Sequence, residues 1–272
     1  MMTEVRSQRM GRLPAASRLQ AITEMVDAGS SISIAGLAEQ YSVSMETIRR
    51  DIAALEKEGL VYRVHGGAMP AGRSASINIR VNNLSLEKAS IGALAARLIE
   101  KDEWIFLTHG STTLSVARAL NDGPPISVMT NMPAIAEALH GGTKHRVVLT
   151  GGEYNHADGA LGGQQVLEAI SECVFDTVIM GTYGINPVHG LVEAEKYYQH
   201  LKRLLCQRSS RRIFVADHSK FGASGPYVSV PLSEIGIIVT DYAPPKDFVT
   251  VFNESGVKVI YPSTIGTKQH DL

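Results

Sequence analysis

From Glu87 onward, apolar runs of strand length alternate with amphipathic stretches of helical length. WIFLT is followed by SVARAL and ISVMT by PAIAEAL. The series continues through RVVLTGG, VLEAI, VFDTVIMG, YYQHLKRLLCQ, RIFVAD, IGIIVTD, DFVTVFNESG and VKVIY. Strands this apolar are buried on both faces, and strands separated by helices run parallel. The pattern constrains residues 87–262 to an α/β domain: an open, mostly parallel sheet with helices on both sides.

Composition agrees with a folded core of that size. Of 272 residues, 44% are hydrophobic and 19% charged, which excludes a disordered or collagen-like chain. No uncharged apolar run reaches the roughly 18 residues of a membrane-spanning helix, so no membrane partner is expected. The N-terminal stretch MMTEVRSQRMGRLPAASR is basic but lacks the apolar core of a secretory signal. Cys173 and Cys206 are far apart, which suggests a reducing, cytoplasmic setting. A net charge of -1 argues neither for nor against a nucleic-acid partner.

Ahead of the sheet lie three short helical patterns. Leu19, Ile22 and Val26 share one face of the first, which ends near Gly29. Ser33 is the expected N-cap of the second, with Leu37, Ala38 and Tyr41 turned inward. Ser44 precedes the third, with Ile48, Ile52 and Leu55 in a stripe and Gly59 as the stop. Ser42-Val43-Ser44 is a tight polar turn around one apolar plug, as in a helix-turn-helix unit. LVYRVHGGAM, broken at Gly66-Gly67, reads as a β-hairpin wing. The expected divisions are a basic tail at 1–14, a winged helix-turn-helix domain at 15–69 and a linker at 70–86. An α/β domain at 87–262 and a tail at 263–272 complete the chain.

Opposite the buried stripe of the third helix lie Ser44, Met45, Glu46, Thr47, Arg49 and Arg50. A helix entering the major groove reads base edges with its N-terminal residues, and arginines reach guanine or phosphate. A solvated Arg-Arg pair balanced by Glu46 or Asp51 is the plain alternative for an isolated helix. Within a trihelical unit whose wing carries Arg63 and His65, double-stranded DNA is the favoured partner. Arg6, Arg9, Arg12 and Arg18 add cations near that surface.

The stretch SVSMETIRRDIAALEKEGLVYRVHGGA, Ser42 to Ala68, closely resembles the N-terminal domain of the DeoR family of bacterial transcriptional regulators. The Thr-Ile-Arg-Arg-Asp core and the Arg-x-His-Gly-Gly-Ala wing carry that resemblance. Gly36 departs from it, since such proteins often place an acid there. The second half resembles the same family's sensor domain through Gly110-Ser111-Thr112-Thr113, Thr130-Asn131, Thr150-Gly151-Gly152, Gly181-x-x-Gly184, Leu201-Lys202-Arg203 and Ala216 to Gly222. The resemblance implies a fold like ribose-5-phosphate isomerase, operator DNA as partner, and a phosphorylated sugar or related anionic metabolite as effector. It also implies repression of a carbohydrate-catabolism operon. A homodimer or homotetramer is expected, because one module reads only a short half-site.

The residues support an anion site independently. Gly110-Ser111-Thr112-Thr113 lies where a strand ends and a helix begins, so free N–H groups and the helix dipole favour negative charge. Thr130-Asn131, Gly151-Gly152, Gly181-Thr182 and Asp217-His218-Ser219-Lys220 also follow strands and converge on the carboxyl edge, where ligands of open α/β sheets bind, and Thr108, His109 and Glu153 are counted with them as effector-binding. Lys220 offers a cation to a phosphate, while Asn131 and Asp217 are candidates for sugar hydroxyls. Thr108-His109, Asn186 and the aromatic VEAEKYYQH depart from the family pattern, which points to an unusual or more anionic effector.

The nine histidines show no zinc-ligand spacing, so no metal or cofactor is expected. A sugar-phosphate isomerase with an appended DNA-binding module is the alternative from another class. Proton abstraction needs a placed base, and Thr108 occupies the obvious acid position, leaving Asp217 and Glu153. No catalytic residue is therefore assigned. A third reading makes the sensor an assembly domain only. Residues 70–86 look too short and irregular to carry a signal alone, which leaves the pairing of sensor domains as the expected route.

Overall fold

The computed structural model describes residues 13–27, 32–57, 61–64, 67–70, 77–139 and 144–262. The chain divides into two compact units, Met1–Ala75 and Ser76–Leu272.

In the first unit, α1 (Ala15–Asp27), α2 (Ile34–Gln40) and α3 (Met45–Lys57) surround Ile22, Leu37, Tyr41, Ile48, Ile52 and Leu55, all buried. The spacing of these residues puts one apolar stripe on each helix, and the stripes meet. β2 (Val61–Val64) and β3 (Gly67–Pro70) form the expected hairpin. β1 (Ile32–Ser33) adds to β3 as a third, antiparallel strand. Two residues are too few to show strand alternation, so this strand had no signature in the sequence. Ser33 then caps α2, its Oγ accepting from Gly36 N at 2.9 Å. A Cβ at position 36 would stand 2.8 Å from that Oγ. Glycine costs a helix about 1 kcal/mol relative to alanine, but here it leaves the cap room.

The second unit is built on a seven-stranded parallel sheet. β4 (Trp104–Leu107), β5 (Ser127–Thr130) and β6 (Arg146–Leu149) run outward in one direction. β9 (Phe175–Gly181) returns to the other side of β4, and β12 (Ser209–Val215), β14 (Ile237–Val239) and β15 (Lys258–Ile260) continue that way. The order is β15-β14-β12-β9-β4-β5-β6, so strand order reverses between β4 and β9. Right-handed crossovers then place helices on opposite faces for the two halves.

One face carries α5 (Ser85–Ala96), α6 (Ser111–Leu120) and α7 (Pro133–Leu139). The other carries α8 (Gln164–Ser171), α9 (Lys196–Gln207) and α10 (Lys246–Glu254). β4 serves both cores by simple alternation: Ile105 and Leu107 enter the first, Phe106 the second. Two smaller sheets attach to this frame. β7 (Glu153–Asn155) and β8 (Ala160–Gly162) form a hairpin, and β10 (Gly184–Asn186), β11 (Gly190–Glu193) and β13 (Tyr227–Val230) form an antiparallel sheet. No described helix is long and apolar enough to cross a membrane.

Residues 77–86, read as linker, differ from that expectation. α4 (Ile77–Asn82) is helical, Ile77 is buried with the first core, and α5 begins at Ser85. The segment's asparagines and serines hid the buried Ile77 and the ion pair of Arg80 with Asp158.

Candidate functional site

The N-terminal site is the outer face of α3. Ser44 caps the helix, its Oγ accepting from Thr47 N at 3.1 Å and lying 2.8 Å from Thr47 Oγ1. Ser44, Met45, Glu46, Arg49 and Arg50 are exposed and Thr47 is half-buried. Glu46 pairs with Arg49 at 3.4 Å and with Arg50 at 3.8 Å. Exposed pairs of this kind contribute little, so both arginines remain available.

Asp51 points the other way. Its carboxylate accepts from Arg18 Nε at 2.5 Å and Nη2 at 3.0 Å, and both side chains are buried. Arg18 is thus an internal strut between α1 and α3, correcting its placement among the phosphate-facing cations. Its Nη1 also donates to Leu13 O. A cleft of about 820 Å³ lies beside the turn, lined by Pro14, Arg18, Glu39, Ser42, Ser44 and Thr47. The charge of Arg18 there is already committed to Asp51. The backbone of Arg63 lies on β2 opposite Ala68. His65 and Arg6, Arg9 and Arg12 lie outside the described residues.

The second site lies at the strand-order reversal, where open α/β sheets bind ligands. Thr108 bridges the two strands that part there, its Oγ1 accepting from Gly181 N at 3.3 Å. Gly110 has φ +150°, a conformation that favours glycine, and starts α6 without a side-chain cap. The first intrahelical bond runs from Leu114 N to Gly110 O, so the N–H groups of Ser111, Thr112 and Thr113 have no intrahelical acceptor.

Several expected ligand groups are instead spent on the protein. Asn131 is fully buried, accepting from His109 N at 2.9 Å and donating to Leu161 O at 2.9 Å. It pins the loop before Gly110 to β8 and has no amide donor or acceptor aimed at solvent. Thr130 accepts from Met132 N, and Thr113 donates back to Gly110 O. Asp217 is buried and caps a short 3-10 turn, accepting from Ser219 N at 3.1 Å and from the Ser219 hydroxyl. Gly151 is exposed, and Gly152 lies where a Cβ would strike Gly162 O at 2.5 Å. Glu153 is exposed on the hairpin, as are both its strand neighbours. Neither Glu153 nor Asp217 is presented as a free base beside Gly110.

Other residues take their place. Lys220 is half-buried and has no carboxylate partner among the described residues. Lys202, on the inner face of α9, is buried and paired with Glu193, which Thr182 and Ser229 also contact. Burial depresses the Lys202 ammonium below its ordinary range; Glu193 opposes that and the charge of Lys220 adds to it. Burial likewise pushes Lys88 down to about 8, with Asp217 resisting and Lys220 and Arg80 reinforcing. Arg80 is lowered by burial and supported by Asp158, which it meets at 2.9 Å. The cations Arg80, Lys88, Lys202 and Lys220 thus gather around this edge, two of them holding acids.

Lys88 and Lys202 were legible in principle. Each is a lysine within the apolar stripe of an amphipathic helix: Lys88 with Ile91 and Ala95, Lys202 with Leu201 and Leu205. Tyr198 stands in the aromatic stretch that the sequence marks as unusual, whereas Asp158 had no local signal.

His109 stacks on Tyr198, ring centroids 4.5 Å apart at 31°. Burial drives its imidazole down to about 3, with Arg80 and Lys202 adding to the effect and Asp158 opposing it. It is therefore neutral at pH 7. The unfolded chain takes up this proton first, near pH 6.5, so stability is whole above that value and is lost as the pH falls toward 3. The urea midpoint of the sensor unit should drop more between pH 7.5 and 5 in the wild type than in His109→Gln. Equal drops would show that His109 is not the buried neutral group.

Residues 18–71 match the DeoR-like helix-turn-helix domain, and residues 84–242 the DeoR C terminal sensor domain. The glycerol-3-phosphate regulon repressor of Escherichia coli (strain K12) is 31% identical over 246 residues, 89% of this chain and 97% of its own length. The HTH-type transcriptional repressor GlcR of Bacillus subtilis (strain 168) is 30% identical, over 89% of this chain and 95% of its own. Among solved structures, ribose 5 phosphate isomerase A from Neisseria gonorrhoeae aligns with 50% of this chain and 53% of its own, at 18% identity and a TM-score of 0.37. That last likeness is too slight to bear on the site. The two family domains and the full-length relatives place the chain in the DeoR family of DNA-binding transcriptional regulators.

Proposed function

We propose that this regulator is a repressor whose sensor unit binds a phosphorylated sugar or related anionic metabolite, and that binding loosens its hold on operator DNA. The observation that carries the reading is the uncapped N-terminus of α6 at the strand-order reversal, with Lys220, which has no carboxylate partner among the described residues, on the same edge. Helix dipole, free N–H groups and a neighbouring cation together favour a phosphate dianion. The repressors among its relatives support repression, and the glycerol-3-phosphate regulon repressor makes glycerol 3-phosphate the first compound to try. The operator-bound form is a homodimer or homotetramer, since one recognition helix reads too few base pairs for genomic specificity.

The contacts of Asn131 and Asp217 narrow the ligand surface. It consists of the N–H groups of Ser111 to Thr113, the hydroxyls of Ser111 and Thr112, and Lys220. A thermal-shift screen of phosphorylated sugars and polyols is the first test, since a specific binder raises the melting temperature. Lys220→Ala should abolish the shift given by the best compound while leaving operator binding intact. An undiminished shift in that variant would move the site elsewhere.

A further inference from the structure

The Asp158 carboxylate joins three elements that the effector site alone does not require. It accepts from Arg80 on α4 at 2.9 Å, from the Tyr198 hydroxyl on α9, and from Asn155 on β7 at 3.2 Å. Tyr198 packs, tilted, against His109, one residue before Gly110. Contacts therefore run unbroken from the loop that starts α6 to helix α4.

α4 is fastened along its length. At its start, Ile77 N donates to Ala157 O at 2.8 Å, and the Ile77 side chain occupies the space where a Cβ on Gly159 would come within 2.8 Å. At its end, Lys88 Nζ donates to Arg80 O at 2.5 Å and to Asn83 O at 2.6 Å. Between α4 and α5 the chain turns through Leu84, at φ 52° and ψ 43°. Leucine adopts this left-handed conformation only where its surroundings enforce it, and such residues recur in switch regions.

The hold at Arg80 is incomplete. Its Nε is buried and has no partner among the described residues, and the same is true of His109 Nδ1. A buried donor left idle costs free energy that an added acceptor recovers.

We propose that α4 is a latch closed by Arg80 and Asp158, and that an anion held at the start of α6 opens it by competing with Asp158 for Arg80. The proposal rests on the effector reading above. An incoming anion at the idle Nε shares the guanidinium with Asp158, weakens the Nη2 pair, and frees α4 to swing at Leu84. β3 ends at Pro70 and α4 begins at Ile77, so α4 is the first described element after the DNA-binding unit. A change in its seating changes the tether of that unit. This route makes a signal through the α4 segment possible, where the sequence pointed only to the pairing of sensor domains.

The test uses the full chain and a duplex selected from a random pool by the wild type. Asp158→Asn keeps the shape but removes the charge, Tyr198→Phe removes one hydrogen bond, and Leu84→Gly relaxes the hinge. Without any ligand, each should weaken duplex binding, Asp158→Asn by about fivefold or more, the lower end of ordinary coupling. Hydrogen exchange of β9 amides confirms that the sheet stays folded. Glycerol 3-phosphate, if it weakens duplex binding by the wild type, should have little further effect on Asp158→Asn. Duplex affinities of the folded variants all within about twofold of wild type would overturn the latch. If no phosphate binds the wild type, the effector reading fails, while the ligand-free affinities still decide the latch.

Discussion

Asp51→Ala is expected to unfold the DNA-binding unit while leaving the sensor unit folded. The change strands Arg18, whose side chain is buried and whose guanidinium is held protonated by the Asp51 hydrogen bonds despite burial. Removing one partner of a buried pair costs up to about 3–5 kcal/mol, because the remaining charge loses its counter-ion. Small units are stable by about 0.05–0.15 kcal/mol per residue, so a unit of this size has little more than that to lose. Calorimetry should show the sensor transition unmoved and the N-terminal transition lost or far lower, with duplex binding lost in parallel. Arg18→Met combined with Asp51→Leu should recover much of the stability, since an apolar pair leaves no bare charge. An Asp51→Ala protein that melts like wild type would show the strut to be dispensable.

The other large effect belongs to the opposite face of the same helix. Arg49→Ala with Arg50→Ala should leave the N-terminal unit folded, because both side chains are exposed and, among the described residues, pair only with Glu46. Duplex affinity should nevertheless collapse. A lost base contact costs about 1–3 kcal/mol and relaxes specificity at one position. A lost phosphate contact lowers the salt slope by about 0.9 and weakens all sequences alike. Binding measured from low to moderate salt, on selected and scrambled duplexes, tells the two roles apart. An unchanged affinity in the folded double variant would remove α3 from the DNA interface.

The contrast between these two faces shows what the sequence makes legible. Ile48, Ile52 and Leu55 repeat at helical spacing, so the buried and open sides of α3 follow from the order of residues alone. Ser33 and Ser44 announce their helices for the same local reason. The apolar run of β4 and the Gly110 break likewise show in the residue order where a strand ends and α6 begins. Roles set by distant partners are hidden. Arg18 resembles its basic neighbours until Asp51, 33 residues away, closes on it. Asn131 carries the right chemistry for a sugar hydroxyl, yet the loop before Gly110 and the β8 backbone claim both ends of its amide. α4 was missed because its stability comes from Asp158 and Lys88 rather than from its own sequence.

The most direct test of the account is reciprocity between the two sites. The tightest-binding phosphorylated compound is titrated into the full chain by calorimetry, with and without saturating duplex, and duplex affinity is measured with and without that compound. The account predicts that the compound weakens duplex binding by about 5–150-fold and that duplex weakens compound binding by the same factor. Tight compound binding that leaves duplex affinity unmoved, and is itself unmoved by duplex, would contradict it and leave the sensor unit as an assembly domain.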